Sequence, residues 1–421
     1  ESSILSRQGY FLKSTWYLGD ETNYQFKKSC IITFLEKGSK SIKEILDDLI
    51  IYEEKADREL EEISSDIDRK TLELYDITNP SDIAIVEKFV EKRPKDVLWK
   101  ETRGYSVEEK KLYHIESLLS FWLGCWFGRW DFINGSFYDE NLIHNVEIYD
   151  LREKIKRKAD ELWEKDEIIS EPTKFVLSEE EINRCQKIKY PFKIISDGII
   201  PLDEGHPQDI VRLIEIASEI TFGKETSEEV IKEIELILGQ NLRSYFTKKF
   251  FDSHTNRYLK KPVYWLIQSS NRRYSIYLYY HSINSDTLFK IIRNYIEPKI
   301  NFLSSELKDL QSNIDASDGG EKRRIESRKQ NLEEVLSEII AFKESVKKII
   351  SLGFDLNIDD GITVNIAPFK DIILWSQVEK NWEELEAGNY DWSGLAMKLW
   401  PERVKGKCKK DKSLAVAHGL E

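Results

Sequence analysis

Apolar positions along the chain change their period several times, and each change predicts an element. From Ser41 to about Asp76 they fall on two seven-residue ladders, Ile42, Leu49, Ala56, Ile63 and Leu46, Leu60, Ile67, Leu74. Ladders of this spacing make one apolar seam along a long charged helix. Glu53 and Lys70 interrupt the seam, which favours packing against the protein's own body over a free coiled-coil dimer. Residues 10–36 mix Tyr10, Phe11, Leu12, Trp16 and Tyr17 with Ile31, Ile32, Thr33, Phe34 and Leu35, punctuated by Gly19 and Gly38. That β-branched and aromatic content predicts short strands. A second helical stretch runs from about Ser106 to Glu167, broken at Asn134-Gly135. Its dense part, Leu118-Leu-Ser-Phe-Trp-Leu-Gly-Cys-Trp-Phe-Gly-Arg-Trp130, predicts a buried helix packed closely on a neighbour.

Ser178 followed by Glu181 has the spacing of a capping box. Asp197-Gly198 predicts a turn, and helices are expected at about 207–222 and 226–238, the second closed by Gly239. Pro262–Gln268 and Tyr274–His281 are strand-like and separated by Ser-Ser-Asn-Arg-Arg, which predicts a β-hairpin with Asn271, Arg272 and Arg273 near its tip. Two long helices, about 286–314 and 321–350, meet at Asp318-Gly319-Gly320 as an αα-hairpin. Asp359-Asp360-Gly361 predicts a turn into a short strand, Ile362–Ile366. The fold class expected is therefore α+β: predominantly helical, with a long spacer helix, small antiparallel β elements including a hairpin near 262–281, and an αα-hairpin near 286–350.

Composition narrows the class. The 421 residues are 40% hydrophobic and 12% aromatic, enough to bury cores and to exclude wholesale disorder. No apolar run reaches the roughly 18 residues of a membrane span. Cys30, Cys125, Cys185 and Cys408 form no CxxC pair, which argues against a zinc site or disulfide framework and for a reducing, cytoplasmic location. The chain starts at Glu1 and holds a single Met, Met397, as expected for a piece of a longer protein.

Charge changes the picture more. The formal net charge is −13, yet residues 241–300 hold eleven cations against Asp252, Asp286 and Glu297, a surplus of eight that leaves −21 for the rest. The same sixty positions hold 13 of the 49 aromatic residues. Clustered cations bind phosphates by releasing counterions, and interleaved aromatics and amides can meet bases. Charge alone leaves a second reading open, in which the cations solvate elements whose aromatics face the core. A smaller basic stretch, Lys398–Lys412, has seven cations against Glu402 and Asp411.

No GxGxxG, GxxxxGK[ST], HExxH or GxSxG string occurs, nor an Asn-Pro-Pro-Tyr; the nearest, Thr78-Asn79-Pro80-Ser81, lacks the second proline and the aromatic. The six histidines lack metal-ligand spacing. Asp203, Glu204 and His206 sit between Pro201 and Pro207 around Gly205, where a solvated turn is favoured over an acid–base site. Glu53-Glu54-Lys55 imitates a nuclease Glu-x-Lys but belongs to the spacer helix. No self-contained active site is legible: no catalytic and no metal-binding residue is assigned.

Several strings resemble the C-terminal half of large adenine-specific DNA methyltransferases. These are Asp197-Gly-Ile-Ile-Pro201, Tyr245-Phe-Thr-Lys-Lys-Phe-Phe-Asp-Ser-His254, Tyr258-Leu-Lys-Lys-Pro-Val-Tyr-Trp265, Gly124-Cys-Trp-Phe-Gly-Arg129 and Asp359-Asp-Gly-Ile-Thr-Val-Asn365. The group resembled is the PglX-like enzymes of BREX phage-defence systems and the YeeA-type methylase subunits of restriction–modification systems. Arg69-Lys-Thr-Leu-Glu-Leu-Tyr75 is similar to the end of that family's spacer helix. Lys261-Pro-Val-Tyr-Trp265 stands where the family usually has Arg-Pro-Ile-Tyr-Trp, which keeps the cation and the β-branched residue.

The resemblance implies methyl transfer from S-adenosyl-L-methionine to adenine N6 in duplex DNA, with the catalytic and cofactor motifs upstream of this chain and none of the cofactor bound by it. It likens residues 1–39 to the trailing edge of a methyltransferase domain and the stretch after them to a helical spacer (40–170); beside it, the sequence pattern sets off an expected target-recognition region (171–300) and a C-terminal helical hairpin with a basic tail (301–421). In that scheme Lys248, Lys249, Lys260 and Lys261 contact phosphates, and Gln268, Asn271, Arg272 and Arg273 meet base edges. Double-stranded DNA is the expected partner, with partner defence proteins besides and no membrane. Two other classes stay open: a helical protein–protein scaffold, and the specificity region of a combined restriction–methylation enzyme.

Overall fold

In a computed structural model that describes residues 2–35, 41–92, 102, 104–133, 135, 191–316 and 318–420, the seam of the two ladders is one helix. This is α3 (Ile42–Leu74), preceded by α1 (Ser2–Tyr17) and α2 (Cys30–Leu35) and followed by α4 (Pro80–Lys92) and α5 (Val107–Trp126). Ser41 and Glu44 start α3 as a capping box: the Ser41 hydroxyl accepts from the Glu44 amide at 3.1 Å, and the Ser41 amide donates to the Glu44 carboxylate at 3.2 Å. Ile42, Leu46, Leu49, Ala56, Leu60 and Ile63 are buried against α1, α2 and α5, with Trp16 stacked beside Tyr52. The ladder opens toward its end, where Leu74 is 79% exposed.

Glu53, the interruption in the seam, is buried and held by α5. Its carboxylate lies 2.5 Å from His114 Nε2 and 3.5 Å from Lys110 Nζ. The expectation of packing on the protein's own body is met by this pairing. The aromatic run of α5 is buried from Leu118 to Phe127, and the Trp122 indole donates to Thr221 Oγ1 at 3.0 Å.

The strands expected over residues 10–36 are instead helices α1 and α2. Trp16, Cys30, Ile31 and Ile32 satisfy their burial against α3 and α5, and tertiary packing overrides their β propensity. Gly19 is punctuation, as read: a Cβ there would come 2.1 Å from the Cys30 sulfur. The strands on which the 1–39 boundary rested are therefore absent among the described residues. Most of the helical stretch beyond Asn134 and the Ser178–Glu181 capping box lie outside the described residues.

The chain divides into two compact units, Glu1–Ile194 with Glu215–Leu238, and Ile195–Ile214 with Gly239–Glu421. The first holds α1–α5 and α7 (Ser227–Leu238); α6 (Ile210–Phe222) spans the division. The second is built on a three-stranded antiparallel sheet, β1 (Ile199–Leu202), β2 (Tyr264–Gln268) and β3 (Ser275–Tyr279), in the order β1-β3-β2. Trp265 pairs with Leu278, and Leu278 with Ile199 across the central strand. Both faces are covered. Tyr264, Gln268 and Tyr277 face α8 (Leu242–Lys248) and α9 (Phe250–Arg257), where the Tyr277 hydroxyl donates to the Phe246 carbonyl at 2.5 Å. Trp265 faces Phe369 at a ring distance of 5.2 Å. The hairpin near 262–281 stands as expected, and Tyr264, Trp265, Tyr274 and Tyr277 are core while Tyr279 is half-buried.

The αα-hairpin follows. α10 (Thr287–Lys290), a π-turn (Ile291–Ile296) and α11 (Glu297–Ala316) run into α12 (Gly319–Ser351), with Gly319 in the left-handed region at φ +62°. Ile362–Ile366, expected as a strand, is helix α13 (Gly361–Ile366). Asn365 closes it locally, its Nδ2 donating to the carbonyls of Gly361 (2.9 Å) and Asn357 (2.6 Å) and to the Tyr280 hydroxyl (3.2 Å). Buried Asp360 accepts the amides of Gly394 and Leu395, each at 2.8 Å, and so starts α15 (Gly394–Leu399), which follows α14 (Ser376–Ala387). The Asp-Asp-Gly-x-x-Val-Asn string is thus a tie between the sheet and the terminal helices, which continue with α16 (Pro401–Cys408) and α17 (Lys412–Ala417).

Candidate nucleic-acid interface

The local folding of residues 242–279 decides which of the eleven cations are free to meet a ligand. α8 starts at Asn241, whose side chain accepts the Ser244 amide at 2.8 Å. Leu242, Tyr245, Phe246, Phe250, Phe251, His254 and Thr255 turn inward, so both short helices lie flat on the sheet with one face outward. His254 pins the far end: its Nε2 accepts the amides of Val263 and Tyr264, each at 3.1 Å, while its ring stacks on Tyr264 at 4.6 Å. Through these bonds the histidine holds α9 to β2.

Lys248 and Lys249 close α8 and open α9; Lys260 and Lys261 follow α9 and lead into β2. All four are exposed, and none has a carboxylate partner among the described residues. Leu259 (φ +50°) and Lys260 (φ +64°) are both left-handed, a conformation costing roughly 1–3 kcal/mol per residue that persists only where the surroundings impose it. Here the amides of Lys260 and Lys261 are tied back to the carbonyls of Thr255 (2.7 Å) and Tyr258 (2.9 Å). The turn therefore presents the two lysines outward.

Three other cations of the segment are spent internally. Arg243 forks onto buried Asp209 at 2.7 and 3.2 Å. Lys299 pairs with Asp203 at 2.5 Å. Arg273 meets Glu334 at 3.0 Å and Glu338 at 3.6 Å. Counting charges along the sequence could not separate these from the free ones, because their partners lie tens of residues away.

The base-edge candidates divide in the same way. Gln268 is buried, and its amide group donates to the Thr247 carbonyl and the Ser275 hydroxyl, each at 3.0 Å. It is therefore closed to a base, a correction whose cause is that a strand residue facing a covering helix has no route to solvent. Asn271 is exposed but engaged: its amide and side-chain Nδ2 donate to Glu338 at 2.7 and 3.2 Å. Arg272 sits at the left-handed corner of the hairpin (φ +61°), exposed and without a side-chain partner among the described residues. Burial pushes the Glu338 carboxyl up, but the hydrogen bonds from Ser269, Asn271 and Arg273 hold it below the ordinary glutamate range.

The Asp203–His206 loop is a hydrogen-bonded turn, as favoured. The Gln208 amide donates to His206 Nδ1 at 3.1 Å, and burial lowers the His206 pKa. Tyr295 closes this corner with its hydroxyl 3.3 Å from Asp197, Gln208 and the Ile199 carbonyl. Among the described residues no helix is long and apolar enough to cross a membrane.

No protein-family model matches this chain. It is 24% identical over 198 residues to the adenine-specific methyltransferase BrxX of Escherichia coli O9:H4 (strain HS), covering 43% of this chain and 16% of that protein. It is 26% identical over 174 residues to the adenine-specific methyltransferase PglX of Lacticaseibacillus casei (strain Zhang), covering 39% of this chain and 14% of that protein. The similarity thus spans about one-sixth of the length of these curated relatives. The PglX-like relationship read from the sequence is met by both.

Proposed function

We propose that this chain is the DNA-recognition portion of an S-adenosylmethionine-dependent adenine-N6 DNA methyltransferase of a phage-defence or restriction–modification system. The observation that carries the reading is the set of four exposed, carboxylate-free lysines, Lys248, Lys249, Lys260 and Lys261, around one rigidly seated helix in an acidic protein. Methylating an amine inside a duplex requires extruding the adenine, which costs a few kcal/mol, while another surface holds the flanking DNA. The α8–α9 surface suits the holding role: its lysines reach phosphates while its inward face is fixed on the sheet. Similarity to two adenine-specific methyltransferases supports the same assignment.

The methyl donor is assigned to the parent enzyme. The test is titration of a labelled duplex with this chain between 50 and 200 mM salt. Four phosphate contacts give a slope of about −3.6 in log K against log salt. Absence of binding, or binding indifferent to salt, rules the reading out.

A further inference from the structure

Helix α9 carries a second outward pattern that the lysines alone do not explain. Its inward face is Phe250, Phe251, His254 and Thr255, and its outward face presents Asp252 and Asn256, one turn apart and both exposed. Neither side chain has a hydrogen-bond partner among the described residues. Exposed Lys249 at the start of the helix and exposed Lys260 in the turn just beyond its end flank these two small polar groups.

The dimensions suit one ligand. An α-helix with its side chains is about 10–12 Å across, and the major groove of B-DNA, about 12 Å wide, admits one along its course. A helix lying in that groove needs cations near its ends to reach the flanking phosphates. It also needs short side chains between them, free of internal bonds, to reach the base edges. α9 meets each requirement, and its backing of aromatic rings against the sheet keeps it from deforming on entry. Asn pairs with adenine through N6 and N7, and a carboxylate accepts from cytosine N4. The spacing of about 6 Å between residues one turn apart corresponds to about two base-pair steps.

We infer that α9 is a major-groove reading helix, with Asn256 selecting an adenine and Asp252 a cytosine about two steps away. Gln268 and Asn271 take no part in this readout, being held by Ser275, Thr247 and Glu338. This inference rests on the proposal that the chain holds duplex DNA, and the experiment separates the two. The unmodified chain is used to select sequences from a randomised duplex pool, and each variant is then measured on the preferred site and on a scrambled duplex.

The expected result is that Asn256→Ala reduces preference for adenine at one position by roughly 5- to 150-fold, the equivalent of one bidentate base contact. Asp252→Ala relaxes a cytosine position nearby. In both, the salt slope set by the lysines persists. Because both residues are exposed and free of internal bonds, an unchanged circular dichroism spectrum and melting temperature show that folding is intact. Full sequence preference in Asn256→Ala, or no preference in the unmodified chain, overturns the inference while leaving duplex binding standing. Failure of the unmodified chain to bind duplex at all overturns both.

Discussion

Replacing Glu338 by Gln removes one charge from the most connected carboxylate of the hairpin tip while keeping the side chain's size. In the native arrangement the two oxygens take the Asn271 amide at 2.7 Å, Asn271 Nδ2 at 3.2 Å and, more weakly, the Arg273 amide at 3.5 Å, with Arg273 Nε 3.6 Å away. Every neighbour is a donor. A carboxamide can offer only one oxygen to them and must turn its own NH₂ group toward another donor. Hydrogen bonds to charged groups contribute about 1.5–3 kcal/mol each, and the side chain is 5% exposed, so water does not replace them. Losing the equivalent of one such bond corresponds to roughly 10- to 150-fold faster opening of the tip. Native-state amide exchange over residues 268–275 reads this directly, without requiring the two units to unfold together.

The pH dependence gives an independent check. The folded carboxyl titrates below the ordinary value of 4.5, so its contribution is full above that pH and is lost as pH falls through the folded value. The difference between the native protein and Glu338→Gln therefore persists at pH 5 and closes in more acidic solution. Tip protection unchanged within two-fold at pH 7 would mean that Glu338 does not hold the tip.

Asp360→Ala leaves the buried Leu395 amide without an acceptor and hands the more exposed Gly394 amide to water, and at about 1–3 kcal/mol per orphaned buried group it should cost about 1–3 kcal/mol, read as lost exchange protection over residues 393–400. Glu53→Ala leaves Lys110 and His114 facing an empty buried site and should destabilise the first unit by about 3–5 kcal/mol, whereas Glu53→Leu with His114→Leu should recover most of that loss; both are measured by urea unfolding followed through tryptophan fluorescence. Burial lowers the folded pKa of His206, so its contribution is complete above the unfolded value of 6.5 and declines as pH drops below it. A His206→Gln variant should accordingly show a flatter rise of melting temperature between pH 5 and 7 than the native protein, and a parallel rise in both would refute the assignment.

Much of the fold is legible from periodicity because the contacts that make it are local or amphipathic. The α3 ladders, the α5 aromatic run and the β2–β3 hairpin each bury the face their spacing marks. The failures share a cause. Residues 10–35 and 362–366 have strand-like composition, but their neighbours decide otherwise: α3 and α5 receive Trp16 and Ile31, and Tyr280 receives Asn365. At the interface the sequence places the cationic segment and the hairpin tip. It cannot say that Arg243, Arg273 and Lys299 are neutralised by Asp209, Glu334 and Asp203, or that Gln268 points under a helix. Asp252 and Asn256 are hidden in the sequence for the opposite reason: an outward i, i+4 pair between lysines is present there, but only the buried face of α9 shows which way it points.

Whether the lysines around α9 hold duplex DNA is decided by the salt dependence of binding in a chain carrying Lys248→Ala, Lys249→Ala, Lys260→Ala and Lys261→Ala together. All four side chains are exposed and unpaired, so the variant folds as the native chain does. Each phosphate contact contributes about −0.9 to the slope of log K against log salt, so the native slope of about −3.6 should collapse toward zero in the variant, with a matching loss of affinity at low salt. A variant that binds duplex with the native slope would contradict that role for the lysines.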